Sequence, residues 1–99
     1  MKLEILVLAR NDLIEGYRFY EKQQSGLGDY FLVNLYADVE SLKIFAGIHK
    51  KVYKGFYRAL SRRFPFAIYY TVEEKTVKIR SILDCRKDLS EIKEHLKKA

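Results

Sequence analysis

Tryptophan is absent from the chain, and cysteine, methionine and proline occur once each. A single thiol, Cys85, excludes an internal disulfide and a zinc site built on cysteines, and it fits a reducing, cytoplasmic setting. One proline and five glycines leave no material for a flexible linker or a low-complexity segment. No apolar run approaches the ~20 residues of a membrane span, so no membrane partner is expected. The opening stretch, MKLEILVLARNDL, has only a short apolar run from Ile5 to Ala9 and no small-residue cleavage site, so no signal peptide is expected. Gly26-Leu27-Gly28 is not followed by the Gly-Lys-Ser/Thr of a phosphate-binding loop. His49 and His95 make no metal-ligand spacing with each other or with Cys85, and no Ser/His/Asp arrangement can be assembled. Neither a metal nor a cofactor is expected.

What remains is the composition of a folded protein. With 48% hydrophobic and 14% aromatic residues, the chain has the apolar surface that offsets chain entropy. At 99 residues it makes one domain, 1–99, burying about two-thirds of its unfolded surface, with no room for a second core. The net charge is +6, and its source is local. Between Ser41 and Arg63 lie seven basic residues (Lys43, Lys50, Lys51, Lys54, Arg58, Arg62, Arg63) and no acid, whereas the rest of the chain is close to neutral. A patch of this kind implies a polyanionic or acidic partner.

Hydrophobic periodicity gives the element order. Lys2 to Leu8 alternates and reads as a strand. Asp12 followed by Glu15 has the spacing of a capping box, and Leu13, Ile14, Tyr17 and Tyr20 recur at helical spacing, which predicts a helix over 11–24. Ser25-Gly26-Leu27-Gly28 breaks it, and a second helix is predicted over 28–46, forming an antiparallel hairpin with the first. Val52 to Leu60 reads as two short strand pieces or one kinked strand around Gly55. Phe66 to Val72 is apolar on both faces, as a central strand is. Thr76 to Leu83 alternates again, with Val77, Ile79, Ser81 and Leu83 on one face and Lys78, Arg80 and Ile82 on the other. Leu89, Ile92 and Leu96 mark a short C-terminal helix within 89–98. The predicted fold is α+β, β-α-α-β-β-β-α, with a mainly antiparallel sheet of about four strands against an N-terminal helical hairpin.

Several residues have an ordinary reading. His49, beside two lysines, reads as a solvated loop residue, and Tyr69 and Tyr70 read as core filling. Asp38 with Glu40, and Glu73 with Glu74, read as solvated faces of a helix and a turn. Arg80 is harder to dismiss, because an arginine in an apolar strand needs an anionic partner or a route to water. Basic residues interleaved with Tyr53, Phe56, Tyr57 and Phe64 could hold phosphate groups and stacked bases. Metal-free RNA cleavage would also need a base and an acid, supplied by His49, a tyrosine or a lysine.

Tyr20-Glu21, the turn Ser25-Gly26-Leu27-Gly28-Asp29-Tyr30-Phe31, Tyr57-Arg58-Ala59-Leu60, Arg63-Phe64-Pro65-Phe66-Ala67-Ile68-Tyr69-Tyr70 and Asp84-Cys85-Arg86-Lys87-Asp88 occur in this order. Together they resemble the RelE/ParE toxin superfamily, and the glycine turn and the Arg-Phe-Pro strand look like its ParE-like, plasmid-stabilisation branch. The resemblance implies a growth-inhibiting toxin of a type II toxin–antitoxin system, held by a small cognate antitoxin in a hetero-oligomer. RelE-type members cleave mRNA at the ribosome, and ParE-type members inhibit DNA gyrase. RelE-type nucleases carry an arginine where Phe66 falls, a His-Arg or Lys-Arg pair where Cys85-Arg86 falls, and a tyrosine near Ile92. The missing acid and base favour the ParE-like branch and a protein target. On that reading Lys50, Lys51, Lys54, Tyr57, Arg58, Arg62, Arg63, Arg80 and Arg86 face the target or the antitoxin. A ribosome-dependent endoribonuclease would instead use Arg58, Arg63, Arg80 and Arg86 on the scissile phosphate, and a third alternative is a non-toxic binding module.

Overall fold

A computed structural model describes residues 1–99. The elements run β1 (Lys2–Ile5), α1 (Val7–Gln23), α2 (Leu27–Phe45), β2 (Lys51–Tyr53), β3 (Phe56–Leu60), β4 (Phe66–Glu73), β5 (Thr76–Asp84) and α3 (Leu89–Leu96). The sheet has five strands in the order β1-β5-β4-β3-β2. Only β1 and β5 pair in parallel; the other neighbours are antiparallel. The predicted four-strand sheet gains a strand because Val52–Leu60 divides at a tight turn. Lys54 and Gly55 both have positive φ, 42° and 85°, as a two-residue hairpin turn requires.

The first helix begins at Val7, four residues earlier than the periodicity predicts. The run Ile5–Ala9 fits either period, and burial decides it: Ala9, Leu13, Gly16 and Tyr20 form the helical stripe, all buried. The capping box is therefore absent. Leu6 occupies the N-cap without a side-chain bond, and Asp12 lies inside the helix, buried.

The hairpin closes through a carboxylate and close contacts. Glu21 accepts hydrogen bonds from the Gly26 and Gly28 N–H groups at 3.1 and 3.0 Å, which places a negative charge at the start of α2, where the helix dipole favours it. The helices approach so closely that a Cβ on Gly16 would meet the Phe31 ring at 2.5 Å.

α1 and α2 cover one face of the sheet, packing on Phe66, Ile68, Tyr70, Val77, Ile79 and Ile82. Edge-on aromatic contacts join the two layers, with centroids 4.9 Å apart for Tyr20–Phe64, 5.2 Å for Phe31–Phe64 and 5.0 Å for Phe31–Phe66. They fix the Arg63–Phe66 turn to the hairpin. The opposite face is smaller: Ala67, Tyr69 and Leu83 meet Ile92 and Leu96 of α3. β4 is thus buried on both sides, as its sequence predicts.

One register feature departs from the predicted alternation. Tyr69 pairs with Ser81 and Tyr70 with Ile79, so Arg80 is an extra residue on β5. The bulge shifts the phase of the strand beyond it. Ile82 joins Val77 and Ile79 under the hairpin, and Leu83 turns to α3, the reverse of a strict two-residue period.

Candidate functional site

The cationic window runs from the end of α2 through β2 and β3 into the turn before β4. Lys43 pairs with Glu40 at 2.8 Å. The other six, Lys50, Lys51, Lys54, Arg58, Arg62 and Arg63, have no carboxylate within ion-pair distance. The Lys51 ammonium lies over the Tyr57 ring at 5.2 Å and that of Lys54 over Tyr53 at 5.5 Å, cation–π contacts of exposed lysines that remove no charge. Arg58 is half-buried, and its Nε donates to the Tyr69 hydroxyl at 3.3 Å. Arg62 and Arg63 are exposed. The turn bearing them is tied down by Asp38, whose carboxylate accepts from the Ser61 hydroxyl at 2.6 Å and the Arg62 N–H at 3.3 Å. Asp38 therefore anchors the patch rather than being merely solvated.

Arg80 and Arg86 are differently placed. Arg80 donates from Nε to Thr71 at 3.0 Å and from a terminal nitrogen to Glu73 at 3.0 Å, and Glu73 also meets Lys78 at 3.1 Å. The Lys78 hydrogen bond and charge, then Arg80, hold the Glu73 carboxyl below its ordinary pKa. Glu73 is thus a partner to two cations, which is more than a solvated turn. Arg86 grips Asp84 with two nitrogens at 3.0 and 2.6 Å, and that contact holds the Asp84 carboxyl below its usual value. The four arginines proposed for RNA cleavage do not form a common unpaired cluster: Arg86 is paired with Asp84 and Arg80 shares Glu73 with Lys78, whereas Arg58 and Arg63 have no carboxylate partner.

His49 is half-buried and bonded through Nδ1 to the Tyr70 hydroxyl, which also accepts from the Gly47 N–H at 3.0 Å. Burial lowers the His49 pKa and raises that of Tyr70, so both are neutral near pH 7. Tyr70 faces the helical hairpin and Arg58, paired with Tyr69, lies on the strand register that faces α3. The acid–base pair and the half-buried arginine are on opposite sides of the sheet.

Arg58 opens into a cleft of about 300 Å³ between α3 and the sheet, which also contains Tyr53, Tyr69, Cys85, Lys87, Ile92 and Lys93. Sequence reasoning singled out Arg58 and Tyr53 but did not place Cys85, Lys87, Ile92 and Lys93 beside them. The amphipathic stripe Leu89, Ile92 and Leu96 was the available signal, since it required α3 to lie on some apolar face. A second cluster also escaped detection: buried Asp12 accepts from the Ser81 hydroxyl and the Ile82 N–H, and its other oxygen lies 3.1 Å from His95 Nε2. These partners are 69 to 83 residues away, and no local pattern links them.

No protein-family model matches the chain, and a search of curated proteins returns no match. Among solved structures, the chain is similar to one described as "Chromosomal ParDE TA system from P. aeruginosa". The TM-score is 0.72 at 22% sequence identity, covering 83% of this chain and 92% of the other. A hairpin of two helices on a five-stranded, mainly antiparallel sheet defines an α+β protein, and this is the fold it shares with that ParDE-system structure. No helix is long and apolar enough to cross a membrane.

Proposed function

We propose that the chain is the toxin of a type II toxin–antitoxin pair, of the ParE-like kind. It arrests growth by binding a protein target, DNA gyrase, and a small cognate antitoxin neutralises it. The observation that carries this reading is the run of six cations without carboxylate partners on a RelE/ParE-like fold. Acids placed nearby would have cancelled the field, as Asp84 does at Arg86. Left unpaired, the cations draw an acidic partner by long-range attraction. The likeness to a chain from a ParDE system supports an antitoxin as one such partner.

A protein target is favoured over RNA cleavage by the placement of the chemistry. Phosphodiester cleavage needs a base, an acid and a cation around one phosphate. The His49–Tyr70 pair lies under the hairpin, on the far side of the sheet from Arg58. The docking residues on this reading follow the β2–β3 edge and the turn after it, with Lys51 and Tyr57 on the hairpin side, Arg58 on the α3 side, and Lys50, Lys54, Arg62 and Arg63 beside them; Arg80 and Arg86 would join them only as cations already held by Glu73 and Asp84.

The test is induction from a repressible promoter, with gyrase supercoiling assayed on purified protein. Growth arrest with DNA breaks and intact mRNA, abolished by co-expressed antitoxin, is the expected result. Reversing the charge of Arg58, Arg62 and Arg63 together weakens antitoxin binding and makes it less sensitive to salt. Codon-linked mRNA cleavage would replace this reading with an endoribonuclease, and absence of arrest would replace it with a binding module.

A further inference from the structure

We infer that the cleft between α3 and the sheet anchors a partner peptide presenting one large apolar side chain flanked by carboxylates. The inference rests on the proposed function, in which the partner is a protein. The floor of the cleft is apolar, with Tyr69, Ile92 and Leu96 at its base and Val52 and Leu89 at its sides. At about 300 Å³ it has the volume of a small pocket suited to one bulky side chain. Arg58, Lys87 and Lys93 line it, none with a carboxylate partner, and no acid lines it.

That absence follows from the amphipathic placement of α3. Ile92 and Leu96 are buried against the sheet, while Glu91 and Glu94 line a separate shallow depression with Ser90, His95, Lys98 and Lys87, the last of which borders both it and the cleft. The cleft is left with cations only. Arg58 uses Nε on Tyr69, and its two terminal nitrogens have no protein acceptor, a fork suited to a carboxylate. The groove between α2 and β3 differs: it holds Asp38, already engaged by Ser61 and Arg62. The depression beside β1 holds Glu4, Glu73 and Glu74 among its lysines and only one apolar residue.

A peptide fits better than a stacked nucleotide. The ring most suited to stacking, Tyr53, already lies against Phe56, with centroids 6.4 Å apart, and under the Lys54 and Lys93 ammonium groups at 5.5 and 5.9 Å. The remaining floor is largely aliphatic, which suits an inserted side chain rather than a base.

The experiment titrates the isotope-labelled chain with the blocked peptide Glu-Glu-Phe-Glu-Glu and tracks backbone amide shifts. Saturable shifts at Tyr53, Arg58, Cys85 and Ile92 are expected. Replacing the central Phe by Ala should weaken binding about tenfold or more, the loss of one buried aromatic contact. The double variant Lys87→Glu with Lys93→Glu should weaken it about tenfold as well. Both positions are exposed, and the same spectra report whether the fold is intact. Equal binding of the Ala peptide, shifts confined to the groove at Leu42, Phe45 and Leu60, tighter binding of a trinucleotide, or no binding would each overturn the inference. Neither growth nor gyrase enters this measurement, so its failure is separate from failure of the toxin reading.

Discussion

β1 pairs with β5 only as far as Ile79, while β5 continues to Asp84. The Ile82 N–H on this unpaired but buried stretch of strand edge would lack a partner, and α1 supplies one. The Asp12 carboxylate, with 5% of its side chain accessible, accepts from Ile82 N–H at 2.9 Å and the Ser81 hydroxyl at 2.8 Å, and its second oxygen lies 3.1 Å from His95 Nε2. Asp12→Ala leaves two buried donors unsatisfied, at about 1–3 kcal/mol each. The combined loss is about 3–4 kcal/mol, a large share of the 5–15 kcal/mol typical of a domain. With a urea slope near 1.5 kcal/mol/M, the midpoint falls by about 2–3 M. Asp12→Asn keeps an acceptor for Ile82 and costs about 1–2 kcal/mol. The two variants also separate in pH. Burial raises the Asp12 pKa above the ordinary 3.8, outweighing the hydrogen bonds and His95. A raised folded-state pKa gives stability that is complete below 3.8 and is lost as pH rises through the raised value. Asparagine does not titrate, so the wild-type advantage over Asp12→Asn shrinks as pH rises through that window. Urea unfolding monitored by circular dichroism between pH 3.5 and 7 checks both effects. An Asp12→Ala shift under about 0.5 M, or an advantage over Asn that grows with pH, would refute the reasoning.

Two further substitutions test the hairpin. Gly16→Ala gains about 0.5–1 kcal/mol of helix propensity but drives a Cβ into the fully buried Phe31 ring, at a cost of about 1–3 kcal/mol, so thermal unfolding should show a net loss. Glu21→Ala removes the acceptor for the Gly26 and Gly28 N–H groups and the negative charge at the α2 N-terminus; a loss of about 1 kcal/mol should lower the melting temperature by about 4–8 °C.

The fold was legible where local periods are long. α2 presents Phe31, Leu35, Val39 and Leu42 at helical spacing, all buried, and the doubly apolar β4 sits inside the sheet. Short segments misled. The five-residue apolar run before Arg10 satisfied both periods, so the end of β1 and the start of α1 were misplaced, and Asp12 was read as a cap. The Arg80 bulge inverted the faces of Ile82 and Leu83 because it adds a residue that sequence alternation cannot reveal. At the candidate site, composition located the cations but not their pairing. Only one of the two neutralising acids is a sequence neighbour: Asp84 is two residues from Arg86, whereas Glu73 reaches Arg80 across the β4–β5 hairpin.

Pairing also decides what the net charge means. Exposed ion pairs such as Lys43–Glu40 and Lys97–Glu94 add little stability, so their presence elsewhere does not explain the fold. Their effect is on the field. Outside the Lys50–Arg63 run, Asp84 offsets Arg86 and Glu94 offsets Lys97, while Lys78 and Arg80 share the single charge of Glu73. Inside that run the cations are held by aromatic rings, a tyrosine hydroxyl or a braced turn, none of which removes charge. β2–β3 pairing sets the start of this run beside Tyr57 and Arg58, and Arg58 lies on the α3 side of the sheet, where Lys87 and Lys93 add to it. Arg58 and Lys93, 35 positions apart, thereby bring unpaired charge to one apolar cleft. That combination favours a partner whose acids steer its approach and whose apolar side chain fixes its register.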